Sequence, residues 1–457
     1  MRIVLAGIVC LCAWSATRAV AEDWPTHRHD FARSGITAET LRLPLQESWV
    51  HVAKLPPQPA WPGPARSDGW HKVENLKPRV IFDWAYHLVA AGGAVFYGSS
   101  ANDKVYALDS ATGKERWSFF TEGPVRLAPT YSQGKLFVGA DDGRVYCLEA
   151  ADGNLIWEFD AAPSRTRLPG NNRLMSLWPV RSGVVVQGQN AYFTAGLFPF
   201  EGASLCAVQV ADGKELWRHP VTGMAPQGYL LASSERLFMP TGRGTPYVFD
   251  KKSGEFLYTI EGSGGTFCLL TGDQLIYGPG KTGELDAFQP GDRDEVATFQ
   301  GNQMIVTGDK SFLHTDTELR AIDRTRYMEI SLRRAEALRR AEDFKKESRT
   351  QERDGNTEAA EKARARQREL EAKANELAAE LPKCVLWSKE CAHPYSLILA
   401  GETLFAGGTD SVGGFSTETG EQVWRADVVG RALDLAVADG RLYVSTDKGG
   451  IHAFATN

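Results

Sequence analysis

The stretch Val105-Tyr-Ala-Leu-Asp109-Ser-Ala-Thr-Gly113-Lys-Glu-Arg-Trp117 constrains the fold more than any other, because worn copies of it recur along almost the whole chain. Val105, Ala107 and Asp109 alternate with Tyr106 and Leu108, the period of two expected of a strand with one buried face. Asp109 then opens a polar turn, Gly113 supplies a position that tolerates positive φ, and Lys114 begins a second strand ending on Trp117. The unit is a β-hairpin closed by a large flat ring.

The next copies are Val145-Tyr-Cys-Leu-Glu149 with Gly153 and Trp157, and Leu205-Cys-Ala-Val-Gln209 with Gly213 and Trp217. A period of about 40 residues is that of a propeller blade. The motif then decays: Pro246-Tyr-Val-Phe-Asp250 keeps Gly254 but has Tyr258 at the ring position, and Leu285-Asp-Ala-Phe-Gln289 leads only to the region of Phe299. Leu319-Arg-Ala-Ile-Asp323 has its partner strand far off at Cys384-Val-Leu-Trp387, and the motif recovers around Val412, Gly420 and Trp424. Ile451-His-Ala-Phe454 ends without a ring, whereas Leu45 to Val50 carries Trp49 without a first half. Pairing these two fragments would close a circle and remove an unpaired edge. The ring positions Trp49, Trp117, Trp157, Trp217, Tyr258, the 299 region, Trp387 and Trp424 count eight blades. The expected fold is all-β: an eight-bladed β-propeller of four-stranded blades over 45–457, closed by its N- and C-terminal strands and carrying an inserted α-helical hairpin.

The Ala107 to Trp117 pattern resembles the tryptophan-docking repeat of the pyrroloquinoline-quinone-repeat, or quinoprotein-like, β-propellers of exported bacterial proteins. The resemblance covers roughly 40–457 apart from insertions, and implies that each indole packs on the neighbouring blade. It speaks to the fold far more than to function. Asp23 to Gly35 likewise resembles the leader that precedes such propellers, and is expected, within a 22–44 leader, to pack on the outside of the ring.

Residues 1–21 have Arg2, an apolar run from Ile3 to Trp14 and Ala19-Val20-Ala21, the layout of a cleaved secretory signal. The run is too short to span a bilayer as a helix, so a periplasmic or secreted protein without a transmembrane segment is expected. A formal charge of −6, with no basic stripe, argues against a nucleic-acid partner. Cys147 and Cys206 fall on inward hairpin positions, and Cys384 and Cys391 are close enough in sequence for a bridge to be considered.

Two stretches depart from the repeat. Residues 54–80 are rich in proline and tryptophan, cannot form a central strand, and make a long loop with Trp61 and Trp70. In 327–381 the β signals vanish and Ala, Glu, Arg and Lys dominate, which favours helix. Asp354-Gly355-Asn356 divides this segment, and Leu332, Ala335, Leu338 and Ala341 would face Leu370, Ala374, Leu377 and Leu381 in a coiled-coil hairpin. Its reading is an arm in blade six that binds other proteins, as a propeller face also could.

Polar residues near the starts of the inner strands converge at one mouth of the channel. They are His87, Arg126, Gln227, His393 and Asp434, with Trp178 and Tyr395 as stacking rings, and they are the ligand-site candidates. His27-x-His29-Asp30 groups ligand types but does not by itself make a metal site, and no catalytic residue is assigned. The family resemblance also implies what a quinone enzyme of this type would need, namely adjacent cysteines beside the cofactor and a calcium ion held by carboxylate and amide oxygens. The sequence has no Cys-Cys pair, no Cys-x-x-Cys-His haem motif and mostly minimal blades. The expectation is therefore a non-enzymatic exported scaffold or protein-binding propeller without cofactor, similar in repeat type to the propeller subunit of the outer-membrane barrel-assembly machinery. The alternative is an oxidoreductase using pyrroloquinoline quinone and calcium.

Overall fold

A computed structural model describes residues 22–62, 67–68, 73–74, 78, 80–242, 244–260, 264–272, 274–279, 284–288 and 295–456. The 1–21 segment, Trp70 and much of the 54–80 loop lie outside the described residues. The repeat forms four-stranded antiparallel sheets in chain order. The first comprises Leu88–Ala91, Ala94–Ser99, Lys104–Asp109 and Glu115–Phe120. The second comprises Thr130–Ser132, Lys135–Gly139, Arg144–Glu149 and Leu155–Asp160. Sheets beginning at Val185, Leu231, Phe267 and Gln303 follow the same plan. Last comes an eight-stranded array in which one 17-residue strand, Gln422–Ala438, serves two successive four-stranded groups. In that array Gln46–Val52 pairs antiparallel with Gly450–Ala455, so the two unmatched sequence fragments complete each other.

The hairpin rings weld the sheets. Trp49 donates its indole N–H to Ser110 O at 3.0 Å, Trp117 to Ala150 O at 3.1 Å and Trp157 to Val210 O at 3.1 Å. Further round, Trp387 donates to Thr417 O at 3.2 Å and Trp424 to Leu45 O at 2.9 Å. Each indole therefore reaches the turn of the following sheet. Gly113 and Gly153 take φ of 69° and 77°, and a Cβ there would stand 2.5 and 2.6 Å from the Trp49 and Trp117 rings. The turn demands glycine twice, for its backbone conformation and for the ring lying on it. Tyr258 is buried at its ring position, where it accepts a hydrogen bond from Arg236.

The leader does not pack on the outside. Trp24 exchanges backbone hydrogen bonds with Ala90, Pro25 O accepts from Tyr131 N–H, Phe31 O from Ala232 N–H, Ala32 O from Leu270 N–H and Gly35 O from Leu399 N–H. It runs across the first strands of successive sheets, because those strands have edge N–H groups that need acceptors. Arg28 and Arg33 hold it there. Arg28 donates to Leu397 O, Gln303 Oε1 and Arg33 O, and Arg33 to Leu230 O, His27 O and Thr26 Oγ1. Burial lowers both guanidinium pKa values to about 10, so both remain charged at neutral pH.

Two helices interrupt the sixth of these sheets. Helix α1, Arg324–Arg353, is capped by the Asp323 carboxylate and lies beside α2, Thr357–Glu380. The seam differs from the heptad expectation: Leu332 and Leu338 are exposed, and Ile330, Ala337, Ala341 and Ser348 are buried on α1, opposite Ala360, Ala363, Ala374 and Leu377 of α2. Small alanines let the helices approach closely, so the seam selected size over hydrophobic bulk. The base does not merely project, since Ile330 and Leu377 join the core of Leu269, Ile276 and Met304, and Tyr327 stacks on Phe299 at 5.0 Å.

Removing the Trp157 ring, buried between two sheets, should cost on the order of 3–5 kcal/mol as a large-to-small core change; urea unfolding of Trp157→Ala checks this, and an unchanged midpoint would refute the docking role. The five cysteines of the described residues are buried free thiols, and burial pushes Cys147 and Cys206 up to about 12. A thiol reagent at pH 8 should leave them unmodified in the native protein and titrate them on denaturation.

Candidate functional site

The segments preceding the first strands meet beneath the Pro57–Pro62 stretch, around a cavity of about 760 Å³. Its walls carry Trp84, Tyr395 and Arg431 together with Asn302, Gln303 and Asp316. The Arg431 guanidinium lies 4.9 Å from the Trp84 ring centre and 5.8 Å from that of Tyr395, and its Nε donates to Asp447 Oδ2 at 2.9 Å. A cation is thus fixed between two flat rings by a carboxylate behind it. Beside Tyr395, Asn302 Nδ2 donates to Asp316 Oδ1 at 3.0 Å and to Pro394 O at 3.1 Å. Gln303 bridges the cavity to the leader, donating to Tyr395 O and accepting from Arg28 and Leu397 N–H.

A smaller cavity of about 70 Å³ lies deeper and shares Ile81, Thr266, Phe267, Gln303, Tyr395 and Leu433 with the first. Here His87 Nδ1 stands 2.9 Å from Asp434 Oδ1, and Leu88 N–H donates to Asp434 Oδ2 at 2.8 Å. His27, from the leader, stacks on Tyr229 with ring centres 3.7 Å apart. Burial foremost, then the charges of His87, Arg33 and Arg28, depress the His27 pKa well below its usual value, so the ring is neutral.

Of the sequence candidates, the structure brings His87, Asp434 and Tyr395 to these cavities. The others line neither cavity and are engaged in contacts of their own. Arg126 is committed to Asp141 at 2.6 Å and Asp83 at 2.8 Å, and Asp141 is shared with Arg181 at 2.8 Å. Burial alone would raise the Asp141 carboxyl, but Arg181 and Arg126 outweigh it and hold it below its ordinary value. Asp83 also accepts from Ala60 N–H, which ties the proline-rich stretch to this network. Gln227 accepts from the Trp61 indole at 3.1 Å, and half-buried Trp178 donates to Glu201 O. His393 is buried against Phe415, with Ser411 Oγ 3.3 Å from Nε2, and burial followed by the Arg425 charge lowers its pKa. Sequence reasoning missed Trp84, Arg431, Asn302 and Asp316 as wall residues, and His27 as a partner of His87 and Asp434. The one available signal for His27 was its place in the His27-x-His29-Asp30 cluster.

Comparison with known proteins adds three findings. The alcohol dehydrogenase (quinone) dehydrogenase subunit of Gluconobacter oxydans is 28% identical over 203 residues, covering 40% of this chain and 24% of that one. The 1-butanol dehydrogenase (cytochrome c) of Thauera butanivorans is 26% identical over 174 residues, covering 34% and 21%. The chain thus spans only about a quarter of the length of these relatives. Among solved structures, the quinohemoprotein alcohol dehydrogenase of Comamonas testosteroni superposes with a TM-score of 0.60 over 95% of this chain and 81% of that one, at 12% identity, a likeness of fold alone. These relatives correct the expectation of a non-enzymatic scaffold without cofactor: they are named as alcohol dehydrogenases, the Gluconobacter protein as a quinone-dependent one and the Thauera protein as one acting with cytochrome c. The missing Cys-Cys pair was given too much weight, because it concerns one wall of a site and the repeat itself is shared with such enzymes. The family model described as outer membrane protein assembly factor BamB matches residues 64–326 and 375–457, and the chain belongs to that family of quinoprotein-like β-propellers.

Proposed function

We propose that this protein is a quinone-dependent oxidoreductase of the cell envelope, acting on an alcohol, whose sheets close into an eight-bladed ring through Gln46–Val52 and Gly450–Ala455. The observation that carries the reading is the match to quinone dehydrogenases over 203 residues. No helix among the described residues is long and apolar enough to cross a membrane.

The large cavity suits pyrroloquinoline quinone and a hard cation in the chemistry of its donors. Trp84 offers a flat face, the Arg431 guanidinium an anchor for the cofactor's carboxylates, and Asn302 and Asp316 amide and carboxylate oxygens of the kind calcium takes. When bound, the quinone supplies the two-electron oxidant for an alcohol. The remaining tasks belong to this chain. Arg431, held by Asp447, orients the anionic cofactor, and Pro57, Pro59 and Pro62 line the cavity beside it. Cys268, the buried thiol lining the deeper cavity, is pushed far above its usual pKa by burial and stays protonated, so it is no nucleophile.

Calorimetric titration with pyrroloquinoline quinone and calcium should give saturable binding, with dye-coupled oxidation of a primary alcohol. Arg431→Ala should weaken binding by about tenfold or more, the loss of a hydrogen bond to a charged group, with the fold intact by circular dichroism. Neither binding nor turnover in the wild type would refute the proposal.

A further inference from the structure

The deeper cavity carries a second set of donors that the quinone reading does not use. We propose that His27, His87 and Asp434 form a site for a divalent first-row transition ion, such as zinc, independent of any quinone or calcium at the larger cavity. The three residues come from the leader, from the segment before the first sheet and from the strand Gln422–Ala438. Each offers one ligand atom, and these atoms lie within 4.8 Å of one another. Asp434 Oδ1 stands 2.9 Å from His87 Nδ1 and 3.8 Å from His27 Nδ1. Ligands bound at about 2.0–2.1 Å to a tetrahedral ion sit about 3.3 Å apart, between those two spacings.

The hydrogen bonding points the same way. His27 Nδ1 is buried without a hydrogen-bond partner, and 3.8 Å to the carboxylate is too long for one. His87 offers Nδ1, already 2.9 Å from Asp434 Oδ1, on a residue only 8% exposed. Orphaned buried nitrogens are costly, and a shared ion satisfies such a lone pair. The ligands are also held in place: His27 is stacked on Tyr229, the His27 and His87 rings meet edge to face at 4.8 Å, and Asp434 Oδ2 is fixed by Leu88 N–H.

Three protein donors leave a position open, and the adjoining cavity of about 70 Å³ has room for water there. The charges nearby set the selectivity. Arg28 and Arg33 line the same cavity and oppose any cation, so an ion held mainly by charge is disfavoured and one that bonds imidazole strongly is retained. Zinc and cobalt should bind; calcium and magnesium should not.

The test is titration of the chelator-treated full chain with cobalt(II), followed by zinc competition. One equivalent should bind, give visible ligand-field bands from a site of low coordination number, and be displaced by zinc but not by calcium. His27→Gln, whose lost Nδ1 makes no hydrogen bond, and Asp434→Asn, which keeps an acceptor for Leu88 N–H, should each weaken binding by about tenfold or more. If either variant fails to fold, His87→Gln carries the comparison. Absence of saturable binding, affinity unchanged in the folded variants, or displacement by calcium would overturn the assignment. Quinone binding is read separately in the wild type, so the two proposals fail independently.

Discussion

An indole lying on a glycine is the contact on which this architecture depends. Each four-stranded sheet is too small to bury its own faces, so its stability comes from its neighbours. Trp117 illustrates how that is arranged. Its ring covers Gly153 of the next sheet, its N–H ends on Ala150 O, and its other edge packs near Phe96 of its own sheet. One residue therefore supplies apolar area, a directed hydrogen bond and a steric demand for glycine. That triple constraint explains why Gly113, Gly153, Gly213, Gly254 and Gly420 stand where the rings of Trp49, Trp117, Trp157, Trp217 and Trp387 lie, whereas Tyr258, in a worn copy, meets Arg236. It also gives the last contact its meaning, since Trp424 ends on Leu45 O and so joins the C-terminal sheets to the first segment of the array.

The sheets alone would leave the edges of their first strands bare toward one another. The leader fills that role by backbone pairing, but backbone pairing to several separate strands cannot by itself hold an irregular segment in register. Arg28 and Arg33 do: Arg28 donates to Leu397 O and Met304 O of two sheets, and Arg33 ties His27 O and Asp30 O of the leader to Leu230 O. A guanidinium is suited to this because its planar fork keeps its charge even when burial lowers its pKa to about 10. The positive φ of Arg28 and His29, 53° and 75°, shows that the chain is bent to place these side chains, a strain that the surrounding bonds must offset.

Much of the fold was legible because the repeat is a local pattern whose three parts, strand, turn and ring, lie within about fifteen residues. The pairing of Gln46–Val52 with Gly450–Ala455 was legible for the same reason, as two halves of one motif. The leader was misplaced because its location is decided by contacts to residues such as Leu230 and Leu397, far along the chain, and nothing local encodes them. In the helices the leucines drew attention, yet Leu332 and Leu338 face solvent while alanines fill the seam. Of the cavity residues, His87 and Asp434 could be found by their place before and within first strands, but Arg431 acquires its role only through Trp84 and Asp447, which no spacing rule connects to it. The functional reading failed differently: it weighed one missing cysteine pair above a repeat that the chain shares with quinone dehydrogenases.

The two cavities also owe their positions to charge. Asp83, Arg126, Asp141 and Arg181 are all essentially out of contact with water. Burying four ionic groups is expensive, and such a cluster survives only when geometry and additional hydrogen bonds are good. Here Arg181 meets both oxygens of Asp141, and Gln58 O and Ala60 N–H add further hydrogen bonds, which offset the buried Asp83 Oδ1 and Arg181 Nη1 that are left without a partner. The consequence is directional. Hydrophobic packing could have filled the same volume, but it would not have anchored a proline-rich segment that lacks the donors to join a sheet. By binding Gln58 and Ala60, the ionic cluster fixes the Pro57–Pro62 roof over the larger cavity, while the leader, held by its own arginines, forms the floor of the smaller one. The space between them is thus set by two groups of buried arginines, one paired with carboxylates and one hydrogen-bonded mainly to backbone carbonyls.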